Sequence, residues 1–317
     1  MDVKDRKILV ELAKNSRMSV QQLARKVGVS REVAAYRIKR LVKEKIIADF
    51  YTVIDTSALG YSRQICFIQL QDISGEEEKK FFPWIIKHPY LTYAGTAVGR
   101  WNVIFDIFSK DMGHLRIIIQ EILGEIRKYL DSYVIVPIHA YESFPVKFVG
   151  SNAEITDLVN SEKVDIDSID KKILELLANN ARVEYKELAP SLHMSANAIK
   201  YRILRLQKQG VIRGYSVSLN AQKLGYEFYN VQVKYLGTQE EKLLQFLRLA
   251  KEVIYFYSHI GNENWDFDIG VVAKSSQELR DFLMALRKEI GEGVKVHDVY
   301  ALGEMIKTDH VPKGVFA

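Results

Sequence analysis

One cysteine in 317 residues, Cys66, rules out an intrachain disulfide and any zinc site built from several thiolates. The seven histidines are scattered and show no metal-ligand spacing. No apolar run reaches the roughly 18 residues that a membrane helix needs. The opening Met-Asp-Val-Lys-Asp lacks the hydrophobic core of a secretory signal, so a reducing cytoplasm is the expected setting. A Walker-type glycine loop and a nucleophile elbow are both missing, and no cofactor is implied. Cys66 sits among Ile65, Phe67 and Ile68, the surroundings of a core residue rather than of a nucleophile. With 48% hydrophobic and 27% charged residues, the composition is that of a globular chain.

What is present is a repeat. Shifted by 165 residues, Asp5–Tyr61 falls on Asp170–Tyr226 without a gap, and 21 of 57 positions are identical. Two long copies point to a duplicated domain pair rather than a solenoid. The copies also carry the positive charge. Residues 1–50 hold 13 Lys/Arg against 6 Asp/Glu, and residues 165–214 hold 9 against 6, while the whole chain is only +5. The rest of the chain is therefore net acidic, and the basic footprint on the copies suits a polyanion or, equally, two solvated helix faces.

Apolar spacing of three to four predicts a helix over Lys4–Asn15, with Asp2 and Asp5 at its start. Ser19 caps a second helix that ends at Gly28. Ser30 caps a third helix reaching Lys45, with Ala34, Ile38 and Leu41 inward. Ile46–Val53 reads as a wing. The second copy follows the same plan: Asp167–Asn180, then Tyr185–Leu192 shortened or bent by Pro190, then a helix capped by Ser195. His193 stands in the turn where the first copy has Gly28. Each block is a helix-turn-helix. After each block the order strand, helix, strand, strand, helix, strand recurs, which is the ferredoxin-like βαββαβ arrangement.

The expected fold is α+β: two winged helix-turn-helix domains, each followed by a ferredoxin-like domain. The expected divisions are 1–60, 61–148, a linker at 149–164, 165–225 and 226–317.

On a recognition helix the base readers lie outward near the N-terminus. This selects Arg31, Glu32, Ala35 and Tyr36 behind Ser30, and Asn197, Lys200 and Tyr201 behind Ser195. An arginine can take guanine and an asparagine can take adenine. Arg37, Lys39, Arg40, Arg202 and Arg205 are expected at phosphates, with Arg37 and Arg202 equally suited to internal salt bridges. Pro190 and Ser191 replace Arg25 and Lys26, so the second block is expected to hold phosphate more weakly.

Asp2-x-x-Asp5 leading into Ile8-Leu9-x-x-Leu12 and Arg17, then Leu23-Ala24, Ser30, Arg37-Ile38, Leu41 and Leu59-Gly60-Tyr61, resembles the Lrp/AsnC family of transcription regulators. The likeness covers nearly the whole chain twice, and fused double forms look like an archaeal variation. The resemblance implies double-stranded DNA as partner, pairing through the ferredoxin-like domains, a homo-oligomer (a dimer), and small effectors, often amino acids, between those domains. The family's effector loop carries Gly-x-x-Asp. Here the positions read Gly99-Arg100-Trp101-Asn102 and Glu263-Asn264-Trp265-Asp266, so Gly99, Asn102 and Asp266 are the candidate effector residues. The sequence departs from the family at the acid in one half and at the glycine in the other.

Two other readings compete. Siroheme decarboxylases resemble the same domain pair; their His loop and Asn-Leu-Trp-Phe-Thr strand find a partial echo in His259 and Asn264-Trp265-Asp266-Phe267. Their usual Arg-Arg after helix three is Ala48-Asp49 and Arg213-Gly214 here. A weakly specific architectural DNA-binding protein would also use two basic blocks.

Overall fold

The structure, a computed structural model, describes residues 1–150, 155–157, 161–238 and 240–317. The first block forms α1 (Val3–Lys14), α2 (Val20–Val27) and α3 (Arg31–Lys43), then β1 (Ile47–Ile54). The first βαββαβ unit is β2 (Ser62–Leu70), α4 (Gly75–Lys87), β3 (Leu91–Val98), β4 (Val103–Ser109), α5 (Met112–Ile126) and β5 (Leu130–Ser143). A short β6 (Ile155–Asp157) precedes the second block: α6 (Ser168–Ala178), α7 (Tyr185–Leu192), α8 (Ala196–Lys208) and β7 (Ile212–Leu219). The second unit is β8 (Glu227–Tyr235), α9 (Glu240–Leu249), β9 (Val253–His259), β10 (Phe267–Ala273), α10 (Ser276–Ile290) and β11 (Val294–Thr308). Of the expected linker, residues 151–154 and 158–160 lie outside the described residues.

Local chemistry sets the helix ends. Asp2, Ser19 and Asp167 each accept a backbone N–H three residues on, inside reciprocal capping boxes. Gly28 and His193 both adopt the left-handed conformation after the second helix of each block, at φ 71° and 50°. Pro190 does not shorten α7, which has the same 8 residues as α2. It sits in the last turn, where only one backbone bond is lost. The third helix ends at Lys43, short of Lys45, which takes φ 57° where the second copy has Gly210 at φ 76°.

The strands following α3 and α8 do not fold back within their own halves. β1 pairs with β7 antiparallel, from Ile47 opposite Leu219 to Ile54 opposite Ile212. One two-stranded ribbon thus joins both helix-turn-helix blocks. The remaining long strands close a ring in the order β2-β4-β3-β11-β8-β10-β9-β5, with β5 returning to β2. Two strands exchange partners midway. β5 pairs with β2 over Leu130–Pro137 and with β9 of the other half over Ile138–Ser143. β11 pairs with β8 up to Ala301 and with β3 from Ala301 onward. Each four-stranded sheet is therefore extended at its edge strand, β3 or β9, by the last strand of the other.

Strand alternation sorts the side chains. On β4, Val103, Phe105 and Ile107 pack under α4 and α5, while Ile104, Asp106 and Phe108 turn away from them. On β10, Phe267, Ile269 and Val271 pack under α9 and α10, leaving Asp268 and Gly270 facing the ring interior. That interior is aromatic: Phe67, Trp101, Trp265 and Tyr300 meet there at centroid separations of 5.5–6.4 Å. Among the described residues, no helix is long and apolar enough to cross a membrane.

Candidate DNA interface and inter-half cavity

Ala34, Ile38 and Leu41 are buried on α3, as are Ile199, Ile203 and Leu206 on α8. Helical geometry then turns the opposite faces outward. Arg31, Glu32, Ala35, Tyr36 and Lys39 are exposed on α3, and Asn197, Lys200 and Tyr201 on α8. The two tyrosines stand at the same position of each copy with 66% and 70% of their surface in solvent. An aromatic ring left that open on a helix face has no packing role inside its own domain.

The remaining candidate residues have structural partners. Ser30 and Ser195 are N-caps, their hydroxyls accepting from Val33 N and Ala198 N at 3.2 Å. Glu32 in the first turn of α3 is held below the usual carboxylate range by its own backbone N–H and the Ser30 hydroxyl. Arg37 donates to Asp2 and Asp5 at 2.7 and 2.8 Å, and Arg40 to Asp5 at 2.6 Å. The second copy repeats this clamp. Arg202 reaches Asp167 and Asp170 at 2.6 and 2.9 Å, and Arg205 also pairs with Asp170. Asp5 and Asp170 are almost wholly buried. These four arginines thus fasten the third helix to the first: for Arg37 and Arg202 the geometry displays the internal salt bridge, and Arg40 and Arg205, expected only at phosphates, share the same buried carboxylates.

Arg17, which belongs to the family-like motif, and its counterpart Arg182 in the second copy lock the two blocks together. Arg17 donates to Ala181 O and Arg182 to Ser16 O, both at 2.5 Å. Arg17 also lies over the rings of Tyr185 and Tyr215, and Arg182 over Phe50. No local pattern announces such a contact, because each donor reaches 164 or more residues along the chain.

The candidate effector residues are pins at the strand ends. Asn102 Oδ1 accepts from Leu70 N at 2.7 Å. Asp266 Oδ2 accepts from the equivalent Tyr235 N at 2.8 Å, and its other oxygen pairs with Lys234 at 3.0 Å. Acid and amide thus perform the same task, which needs only an acceptor. Gly99 has φ 149°, and a Cβ there would meet Tyr300 Cβ at 2.9 Å. None of these three residues borders the cavities found between the halves.

Those cavities lie elsewhere. One of about 260 Å³ is lined by residues of both halves, among them Arg63, Tyr93, Asp106, Asn230, Tyr255 and Tyr300. A second, also about 260 Å³, shares Arg63, Tyr93, Asp106 and Tyr141 with it and extends to Tyr51–Ser57 at the end of the β1 ribbon. Arg63 pairs with Asp106 and lies 4.7 Å from the Tyr141 ring centre. Burial pushes the Asp106 carboxyl up, against the pull of Arg63.

Residues 1–42 match the family model of the AsnC-type helix-turn-helix domain, and residues 166–213 match that of a winged helix-turn-helix DNA-binding domain. An HTH-type transcriptional regulator of Pyrococcus furiosus is 32% identical over 149 residues, 46% of this chain and 97% of that protein. The HTH-type transcriptional regulator LrpA of Pyrococcus abyssi is 32% identical over 37% of this chain and 83% of its own length. The chain belongs to the Lrp/AsnC family of transcription regulators. It differs from these Lrp/AsnC relatives in length, since each matches no more than about half of it. The crystal structure of the siroheme decarboxylase NirDL superposes on 98% of the chain with a TM-score of 0.67 at 15% identity, covering 94% of that structure. At that identity the likeness concerns the fold alone.

Proposed function

We propose that this Lrp/AsnC chain is a sequence-specific transcription regulator of the cytoplasm, without enzymatic activity, that reads double-stranded DNA with two unlike recognition helices. The observation that carries the reading is the pair of exposed faces on α3 and α8, fixed to each other by the β1–β7 ribbon and the Arg17/Arg182 exchange. In this reading Arg31, Ala35 and Tyr36 meet bases or backbone from one half, and Asn197, Lys200 and Tyr201 from the other. Lys39 takes a phosphate, while Ser30, Ser195, Glu32 and the four clamp arginines hold the readers in place. Because α3 begins Arg-Glu-Val and α8 begins Ala-Asn-Ala, one chain reads an asymmetric site, and a dimer of chains reads a palindrome of composite half-sites.

A decarboxylase reading is favoured by the whole-chain likeness of fold, and this chain's residues weigh against it. The two cavities together offer Arg63 and His310 against Asp55, Asp106 and Asp309. Asp55 pairs with Arg213, Asp106 with Arg63 and Asp309 with Lys307, so the described lining residues supply no cationic cluster to hold a polycarboxylate tetrapyrrole. His259 is sealed against Asp268, 3.3 Å away, and borders neither cavity.

The test is selection of bound duplexes from a random pool, with salt titration on the winner and on a scrambled control. One motif whose affinity gap survives salt supports the regulator. Equal, steeply salt-dependent binding to both duplexes means backbone contact only. An absorbance change on adding siroheme, with no DNA binding, would replace the proposal by the enzyme.

A further inference from the structure

The cavity between the halves is built on one side only. Arg63 and Asp106 have Phe228 and Gly270 as their counterparts in the second copy. A Cβ at Gly270 would lie 2.5 Å from the Tyr255 ring, so that ring fills the room that Asp106 occupies in the first half. The described residues thus form an asymmetric chamber with an ion pair on one wall and aromatic rings on the other.

Three residues that line this chamber carry a buried polar atom with no hydrogen-bond partner: the Tyr93 and Tyr300 hydroxyls and Asn230 Oδ1. Tyr300 is 1% exposed and Asn230 2%. The Asn230 amide is oriented by its own bond to the Tyr255 hydroxyl at 3.1 Å, which leaves its oxygen as an open acceptor. Buried polar atoms are paired as a rule, and exceptions call for an occupant or a function. Two phenols present donors and one amide oxygen presents an acceptor. Arg63 and Asp106 spend their charges on each other, so the chamber as a whole is neutral. Its volume falls just below the ~300–1,000 Å³ of clefts for drug-sized ligands, so the occupant is small.

From this geometry we propose that the chamber binds one flat, uncharged aromatic molecule per chain, of about nucleobase size, that both accepts and donates hydrogen bonds. Its accepting group meets the Tyr93 and Tyr300 hydroxyls, its donor meets Asn230 Oδ1, and its ring lies among the tyrosines. The adjoining cavity shares Arg63, Tyr93, Asp106 and Tyr141 with the chamber and reaches the end of the ribbon that joins the two DNA readers, so these shared side chains link the occupant to it. That last consequence, a change in DNA affinity, rests on the regulator reading; binding itself does not.

The experiment is titration calorimetry on the intact chain without DNA, using 4-hydroxybenzamide and adenine as probes and 4-hydroxybenzoate as the charged counterpart of the amide. One equivalent of at least one neutral probe is expected to bind, and the carboxylate at least tenfold more weakly than the amide. Tyr300→Phe keeps the ring and removes only an unpartnered hydroxyl. It should retain the wild-type melting temperature and weaken the probe about tenfold. Failure of both neutral probes to bind at millimolar concentration would overturn the proposal, as would carboxylate binding equal to the amide or a Tyr300→Phe chain with unchanged affinity. Duplex binding is assayed separately, so a chain that takes the amide but no DNA sinks only the regulator reading.

Discussion

Replacing Arg202 and Lys200 by glutamine, one at a time, separates two jobs that lie two residues apart on α8. Arg202 donates to Asp167 at 2.6 Å and to the wholly buried Asp170 at 2.9 Å, with only 19% of its side chain exposed. Arg202→Gln removes hydrogen bonds to charged groups, each generally worth about 1.5–3 kcal/mol. The loss stays below the ~3–5 kcal/mol of an abandoned buried charge, because Arg205 still faces Asp170. Adding Arg205→Gln strips the last cation and moves the total into that higher range. Lys200 is exposed, and its replacement should change stability by no more than about 0.5 kcal/mol.

Amide hydrogen exchange in α6–α8 reads this stability locally, which suits a multidomain chain that need not unfold in one step. Salt titration on a selected duplex reads the other job. Each lost phosphate contact lowers the slope of log K against log salt by about 0.9. Lys200→Gln should alter DNA affinity with unchanged protection, and Arg202→Gln should lose protection with an unchanged slope. A slope lowered by one contact in Arg202→Gln with full protection would refute the clamp and return Arg202 to the phosphates.

Further expectations concern the joint between the halves and the core. Burial works to raise the Asp55 carboxyl, but bonds from Ser161, Ser57 and Arg213 outweigh it and hold the group below its usual value. A depressed carboxylate contributes stability above its unfolded pKa of about 3.9 and loses it as pH falls through the folded value. Asp55→Asn should therefore flatten the acid limb of a melting-temperature profile below about pH 4; an unchanged limb would count against the network. Burial pushes the Cys66 thiol up to about 12, so iodoacetamide at pH 8 should label only denatured chain, as mass spectrometry would show. Rapid labelling of native protein would contradict the packing around β2.

The helices were readable because their signals are local. Ser19, Ser30 and Ser195 stand one residue before a helix, and apolar residues recur at three and four, so the caps and buried faces follow from spacing alone. The strands were readable as strands, but their partners were not. Nothing in Leu130–Ser143 marks Pro137 as the last residue paired with β2, or Ile138 as the first paired with β9. Alternation assigns a residue to a face and never names the neighbouring strand. Side-chain roles divided the same way. Tyr36 and Tyr201 followed from helix geometry, whereas Arg37 and Arg202 could be settled only once Asp5 and Asp170 stood opposite them. Asn102 and Asp266 looked different by charge, yet the position asks only for an oxygen that accepts a backbone N–H.

The crossed last strands, β5 and β11, also bear on dilution. Two separate subunits sharing such a ring would come apart as their concentration fell, because assembly by mass action depends on how often partners meet. Here the second half is tethered, and its effective concentration is set by the connecting segment rather than by the number of copies in the cell. A scarce chain keeps both helix-turn-helix blocks in place. The tether also lets one half change without forcing the same change on the other, as Arg63 and Asp106 opposite Phe228 and Gly270 illustrate.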